Sequence, residues 1–154
     1  MVNSMEIQTA HFGTVEIDEN RIIVFENGLP GLENYKKFAL LSDKETKSIC
    51  WLQSLECKEV SLPAMDPFIV FPNYSFDIAD DDIKTLQIEQ VKDIYVLSVL
   101  VIPKPESKMT INLAAPIIIN VRNSKARQII LDDKRYRVRV PISELLNHAA
   151  KDGI

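Results

Sequence analysis

The chain has 154 residues, 46% of them hydrophobic and 26% charged, with two cysteines and a formal net charge of −4. This is the size and composition of one globular domain. It excludes a disordered, collagenous or disulfide-stapled chain. Net negative charge also argues against non-specific nucleic-acid binding, which rests on neutralising phosphates.

Short strands dominate the pattern. Met5 to Thr9, Thr14 to Ile17 and Arg21 to Phe25 read as strands, with turns at Gly13 and at Asp18-Glu19-Asn20. Leu29-Pro30-Gly31-Leu32 fits a type II turn: proline presets the first central φ and glycine tolerates the positive φ of the second. Phe38 to Leu41, Ile49 to Leu55, Val60 to Met65 and Phe68 to Phe71 follow as strands. A short helix is expected over Asp80 to Gln87, with Asp80 as its cap and further aspartates suiting its dipole.

Ile94 to Ile102 is apolar almost throughout and reads as a central strand covered on both faces. It is too short to span a bilayer. Met109, Ile111 and Leu113 alternate with Thr110 and Asn112, the period of a half-buried strand. Ile117 to Val121, Gln128 to Leu131 and Tyr136 to Val140 complete the strands, and a terminal helix starts near Ser143. About ten strands without long helical intervals predict a mainly β single domain over residues 1–154. Its form is a small antiparallel barrel or sandwich with one or two short helices.

The N-terminus lacks a basic region followed by an apolar run, so no signal peptide is expected, and either Met1 or Met5 can start translation. Cys50 and Cys57 form no CxxC motif and read as free thiols, a disulfide being the alternative. His11 and His148 have no ligand neighbours at metal spacing and read as surface residues. The four glycines build neither a phosphate loop nor a nucleophile elbow. Neither a catalytic residue, nor a metal site, nor a cofactor is expected.

Three features stand out instead. Asp77, Asp80, Asp81 and Asp82 are an acidic cluster, read as helix capping and solvation or as a contact surface. Phe68, Phe71, Tyr74 and Phe76 are an aromatic cluster, read as core or as a partner groove. From Arg122 to Arg139, seven basic residues face only Asp132 and Asp133. That segment carries +5 and leaves −9 on the rest. Arg135, Arg137 and Arg139 alternate with Tyr136, Val138 and Val140. This pattern fits a charged edge strand, or an anion- or RNA-binding stripe.

Taken together, several stretches resemble the flagellar assembly factor FliW family. They are Phe25-Glu26-Asn27-Gly28-Leu29-Pro30-Gly31, Trp51-Leu52-Gln53-Ser54, and Asp66-Pro67 with Phe71-Pro72-Asn73-Tyr74. Asn112-Leu113-Ala114-Ala115-Pro116-Ile117-Ile118-Ile119-Asn120 and Gln128-Ile129-Ile130-Leu131 complete the set. The match covers about residues 5–140 and leaves the tail 141–154 without a counterpart. Leu32 stands where the family often has an aromatic.

The resemblance implies a cytoplasmic, non-enzymatic, barrel-like protein. Its relatives bind the translational regulator CsrA, relieving repression of flagellin mRNA, and also bind flagellin in a partner switch. On this reading the protein is a monomer by itself, without membrane or direct nucleic-acid contact. Asp80, Asp81, Asp82, Phe71 and Tyr74 are its candidate partner-binding residues. A direct RNA-binding barrel and a flagellin-only chaperone are the alternatives.

Overall fold

The structure, a computed structural model, describes residues 3–43 and 45–151, with side chains through Asn147. The start at Met1 and the side chain of His148 lie outside the described residues. Among the described residues, eleven strands and two α-helices account for the architecture. Strands β1 (Ser4–Thr9) and β2 (Gly13–Asp18) form a separate antiparallel hairpin. Its tip is tied by Thr9, whose Oγ1 donates to Gly13 O at 2.8 Å and accepts from Phe12 N at 2.8 Å.

The other nine strands are β3 (Ile23–Val24), β4 (Lys37–Ser42), β5 (Ile49–Ser54), β6 (Ser61–Met65), β7 (Ile94–Val101), β8 (Thr110–Ile111), β9 (Ile117–Asn120), β10 (Lys125–Gln128) and β11 (Val140–Pro141). Pairing runs β3-β4-β5-β6-β7-β9-β10 and returns to β3, so seven strands close a ring. The barrel expected from strand spacing is present. One joint departs from antiparallel order: β10 runs parallel to β3 through Lys125 and Val24.

Strand β7 has a partner on each side, as its apolar run predicts. Ile94 to Leu97 pair with β9, Leu100 and Val101 with β8, and Ser98 and Val99 with β6 on the opposite edge. The barrel is filled by Phe25, Phe38, Leu52, Ala64, Leu97 and Ile117, with the rings of Phe25 and Phe38 edge-to-face at 5.3 Å. A second core gathers Tyr74, Leu100, Ile111, Leu113, Tyr136 and Val140 beneath β8, β11 and helix α2 (Ile142–Lys151). A third, of Leu86, Ile118 and Ile129, lies under helix α1 (Asp80–Thr85). All four residues of β9 are buried, because alternate side chains enter the barrel and the α1 core.

Three sequence readings are corrected. Phe68 to Phe71 is not a strand: Pro67–Ile69 is a 3-10 turn, with Asp66 Oδ1 accepting from Phe68 N at 2.9 Å and proline in the first turn. Tyr136 to Val140 is irregular except at Val140, and Val138 is exposed although the alternation places it inside. The last ring strand is Lys125–Gln128, preceding the predicted Gln128 to Leu131. Helix α1 is also shorter than Asp80 to Gln87, and Ala79 caps it without a side-chain bond. Asp80 is its first helical residue.

The turn at Leu29–Leu32 has the predicted form, with Leu32 N donating to Leu29 O at 2.8 Å and Gly31 at φ +84°. Gly28 carries a second constraint: at φ +68°, its added Cβ would lie 2.5 Å from Glu33 Cα. Gly31→Val is expected to cost about 1–3 kcal/mol from backbone strain alone. Gly28→Ala should cost more than Gly31→Ala, because only Gly28 adds a backbone collision. Urea denaturation midpoints that rank the two alanine variants the other way would refute this assignment.

Candidate protein-interaction site

The acidic cluster divides. Asp80 and Asp81 are exposed and make no ion pair among the described residues. Asp82 is half-buried and accepts from Arg127 Nη1 at 2.9 Å. A helix of six residues does not hold itself together in water. Here the Asn120 amide donates to the carbonyls of Leu86 at 2.8 Å and Gln87 at 3.2 Å, and the Asn123 amide to Leu86 at 3.1 Å. Leu86 is buried beneath them. The acidic turn is thereby fixed to the strand that closes the barrel.

The basic segment is largely neutralised from within. Arg122 meets Glu89 at 2.7 Å, Lys125 meets Glu26 at 3.1 Å, and Arg127 meets Asp82. Arg135 meets Asp133 at 2.7 Å and Arg137 meets Glu144 at 3.1 Å. The hydrogen bonds from Arg135 hold the Asp133 carboxyl below its usual range. Five of the seven basic side chains are thus paired. The irregular backbone from Leu131 to Arg139 provides no strand to array Arg135, Arg137 and Arg139.

The aromatic cluster is mainly core. Tyr74 is buried, its hydroxyl donates to Leu113 O at 2.6 Å, and its ring meets Tyr136 edge-on at 4.8 Å. Burial raises its phenol pKa, with Tyr136 and Asp133 adding to the shift. Phe71 is half-buried against Tyr74 and Tyr136. The exposed large apolar side chains of this stretch are Phe68, a member of the aromatic cluster, and Ile69; neither is among the candidate partner-binding residues.

Ile69 leads to a larger feature. Strand β6 ends its pairing with β7 at Met65, and the chain turns away at Asp66-Pro67. The barrel is left open there, with a mouth of about 870 Å³ lined by Ile23, Leu40, Cys50, Ile69, Tyr95, Ile119 and Val121 among others. Leu40 pairs with buried Leu52, and Tyr95 with buried Ile119, so these exposed side chains continue the barrel interior. Exposed apolar surface gathered in a concavity is a mark of binding. The individual residues sit in ordinary strand positions, and only ring closure brings them together.

Among the described residues no helix is long and apolar enough to cross a membrane. Nor do three or more His, Cys, Asp or Glu side chains converge as metal ligands. Both cysteines are free.

The FliW protein family model matches residues 6–142. The chain belongs to the FliW family. It is 48% identical over 134 residues to the flagellar assembly factor FliW of Thermosipho africanus, covering 86% of this chain and 92% of that protein. The FliW of Thermoanaerobacter pseudethanolicus is 39% identical, with 94% and 97% covered. A crystal structure of the flagellar assembly factor FliW superposes with a TM-score of 0.84 at 34% identity, covering 90% of this chain and 96% of that one. The mainly β fold and the role in flagellar assembly follow from this membership. Of the motif residues that carried the resemblance, many are turn anchors. Asn112 Oδ1 accepts from Ala114 N and Ala115 N, the Gln128 amide donates to Ala115 O, and the Gln53 amide donates to Lys58 O and Val60 O.

Tyr74→Phe leaves the Leu113 carbonyl without its buried donor, and is expected to cost about 1–3 kcal/mol in chemical denaturation. An unchanged midpoint would place that bond outside the stability of the fold. Burial pushes the Cys50 thiol up to about 11. Only about a thousandth of it is then thiolate at pH 8, and the thiolate is the reactive form. Thiol labelling followed by mass spectrometry should modify Cys57 first, with the Cys50 rate still climbing as pH passes 9. Equal rates at pH 8 would contradict the buried environment.

Proposed function

We propose that this protein is a cytosolic partner switch in flagellar assembly that binds CsrA through an acidic face and flagellin through a separate surface. Bound to CsrA, it relieves repression of flagellin mRNA. Accumulating flagellin takes it away and frees CsrA, and secretion of flagellin reverses the exchange. The observation that carries this reading is the pair Asp80 and Asp81, exposed and unpaired among the described residues on an anchored helix turn. An RNA-binding partner must present basic surface, and complementary charge speeds and orients encounter. The mouth of the barrel supplies apolar surface suited to the second partner.

Direct RNA binding is not favoured, since five of the seven ribbon cations are already matched by carboxylates. The ion pairs decide which aspartates to replace. Asp82 holds Arg127, so its removal would unpair a cation, and Asp80 makes no side-chain cap bond. Asp80→Asn with Asp81→Asn is the clean variant. It should slow association with CsrA at low salt and change flagellin binding less. Screening beyond about 8 Å at physiological salt should shrink the difference. Size-exclusion chromatography with CsrA, with flagellin and with both reads the switch. Failure to co-elute with CsrA while flagellin binds would leave a flagellin chaperone, and RNA retention without either partner would leave an RNA-binding barrel.

A further inference from the structure

Another concavity, of about 610 Å³, has rings and carboxylates in its walls besides aliphatic side chains. His11 and Phe12 come from the tip of the β1–β2 hairpin, and Trp51 from β5. The His11 ring lies 4.8 Å from both the Trp51 and Phe12 rings, and Phe12 meets Trp51 edge-on at 6.2 Å. The tip is held there by Ala10 N donating to Lys58 O at 3.0 Å, besides the Thr9 bonds. A hairpin that otherwise pairs with no barrel strand is thus pinned with its aromatic tip on the tryptophan.

Three carboxylates line the same cavity: Asp43, Glu45 and Glu106. Asp43 is positioned, accepting from Thr46 N at 3.0 Å through one oxygen and from Trp51 Nε1 at 3.4 Å through the other. Among the described residues, the side chains of Glu45 and Glu106 make no hydrogen bond or ion pair, and neither lysine nor arginine lines the cavity. Apolar Ile102 and Met109 complete the cavity.

We propose that this cradle holds an arginine side chain of a partner protein. A guanidinium is planar and weakly hydrated, lies against aromatic rings, and takes carboxylates in a two-pronged geometry. Each of those properties has its counterpart in the walls. A lysine ammonium is compact and strongly hydrated and gains less from rings. The inference concerns a different set of residues from Asp80 and Asp81, so it stands or falls apart from the CsrA reading.

Trp51 is the single tryptophan, so its emission reports on the cradle directly. The whole protein is titrated into the tens of millimolar with three blocked tripeptides, Gly-Arg-Gly, Gly-Lys-Gly and Gly-citrulline-Gly. Citrulline keeps the shape of arginine without the charge. The indole N–H and His11 resonances are followed in parallel by NMR. Saturable change is expected with arginine, weaker change with lysine and none with citrulline. Glu45→Gln with Glu106→Gln, both on the surface, should raise the arginine half-saturation by about tenfold with an unchanged melting temperature. No shift in either readout, a citrulline response equal to arginine, or a double variant that binds arginine as wild type does would overturn the proposal. A lysine response equal to arginine would overturn the assignment to a guanidinium.

Discussion

Closure of the ring at the β7–β9 joint is the constraint on which the rest depends. Without it the seven strands would be an open sheet with two raw edges, and Leu97 and Ile117 would have no common interior. One eight-residue strand does this by dividing its length: the first half pairs with β9, the second with β8. The division also sets up the second core, because β8 and β11 carry α2 only as an extension of β7. The mouth is the complement of the same arrangement. Where β6 leaves β7 after two residue pairs, Leu40 and Tyr95 stay partly exposed.

Charge is organised by the same frame. Arg127 on β10 and Arg122 beyond β9 reach carboxylates on or beside α1, so the basic segment and the acidic helix neutralise one another across the outside of the ring. What is left unmatched at the helix is its leading edge. A net charge read along the chain therefore describes the outer surface poorly. The +5 ribbon is mostly internal bookkeeping, while two aspartates keep their field.

The strands were legible where apolar residues gather over a strand's length, as in β4, β5, β7 and β9, because each buries one or both faces. Two errors have local causes present in the sequence. Asp66-Pro67 is a capping residue followed by a helix-starting proline, which outweighed the apolar run behind it. Asp133 caps its own turn by accepting from Arg135 N, and Tyr136 is committed to Ser75, 61 residues away. The alternation from Arg135 to Val140 therefore never forms a strand. The interaction surfaces were illegible for a different reason. The mouth collects residues from β3, β4, β5, β7 and β9, and the cradle joins a hairpin tip to a strand about 40 positions later; spacing along the chain encodes neither.

The amides of Asn120 and Asn123 have one further effect. They bind α1 to the end of β9, so the helix does not fray on its own account. Unwinding the helix from that end requires breaking these bonds first. A partner that docks on it meets a surface already ordered, and the entropy of arranging those charges has been spent in folding.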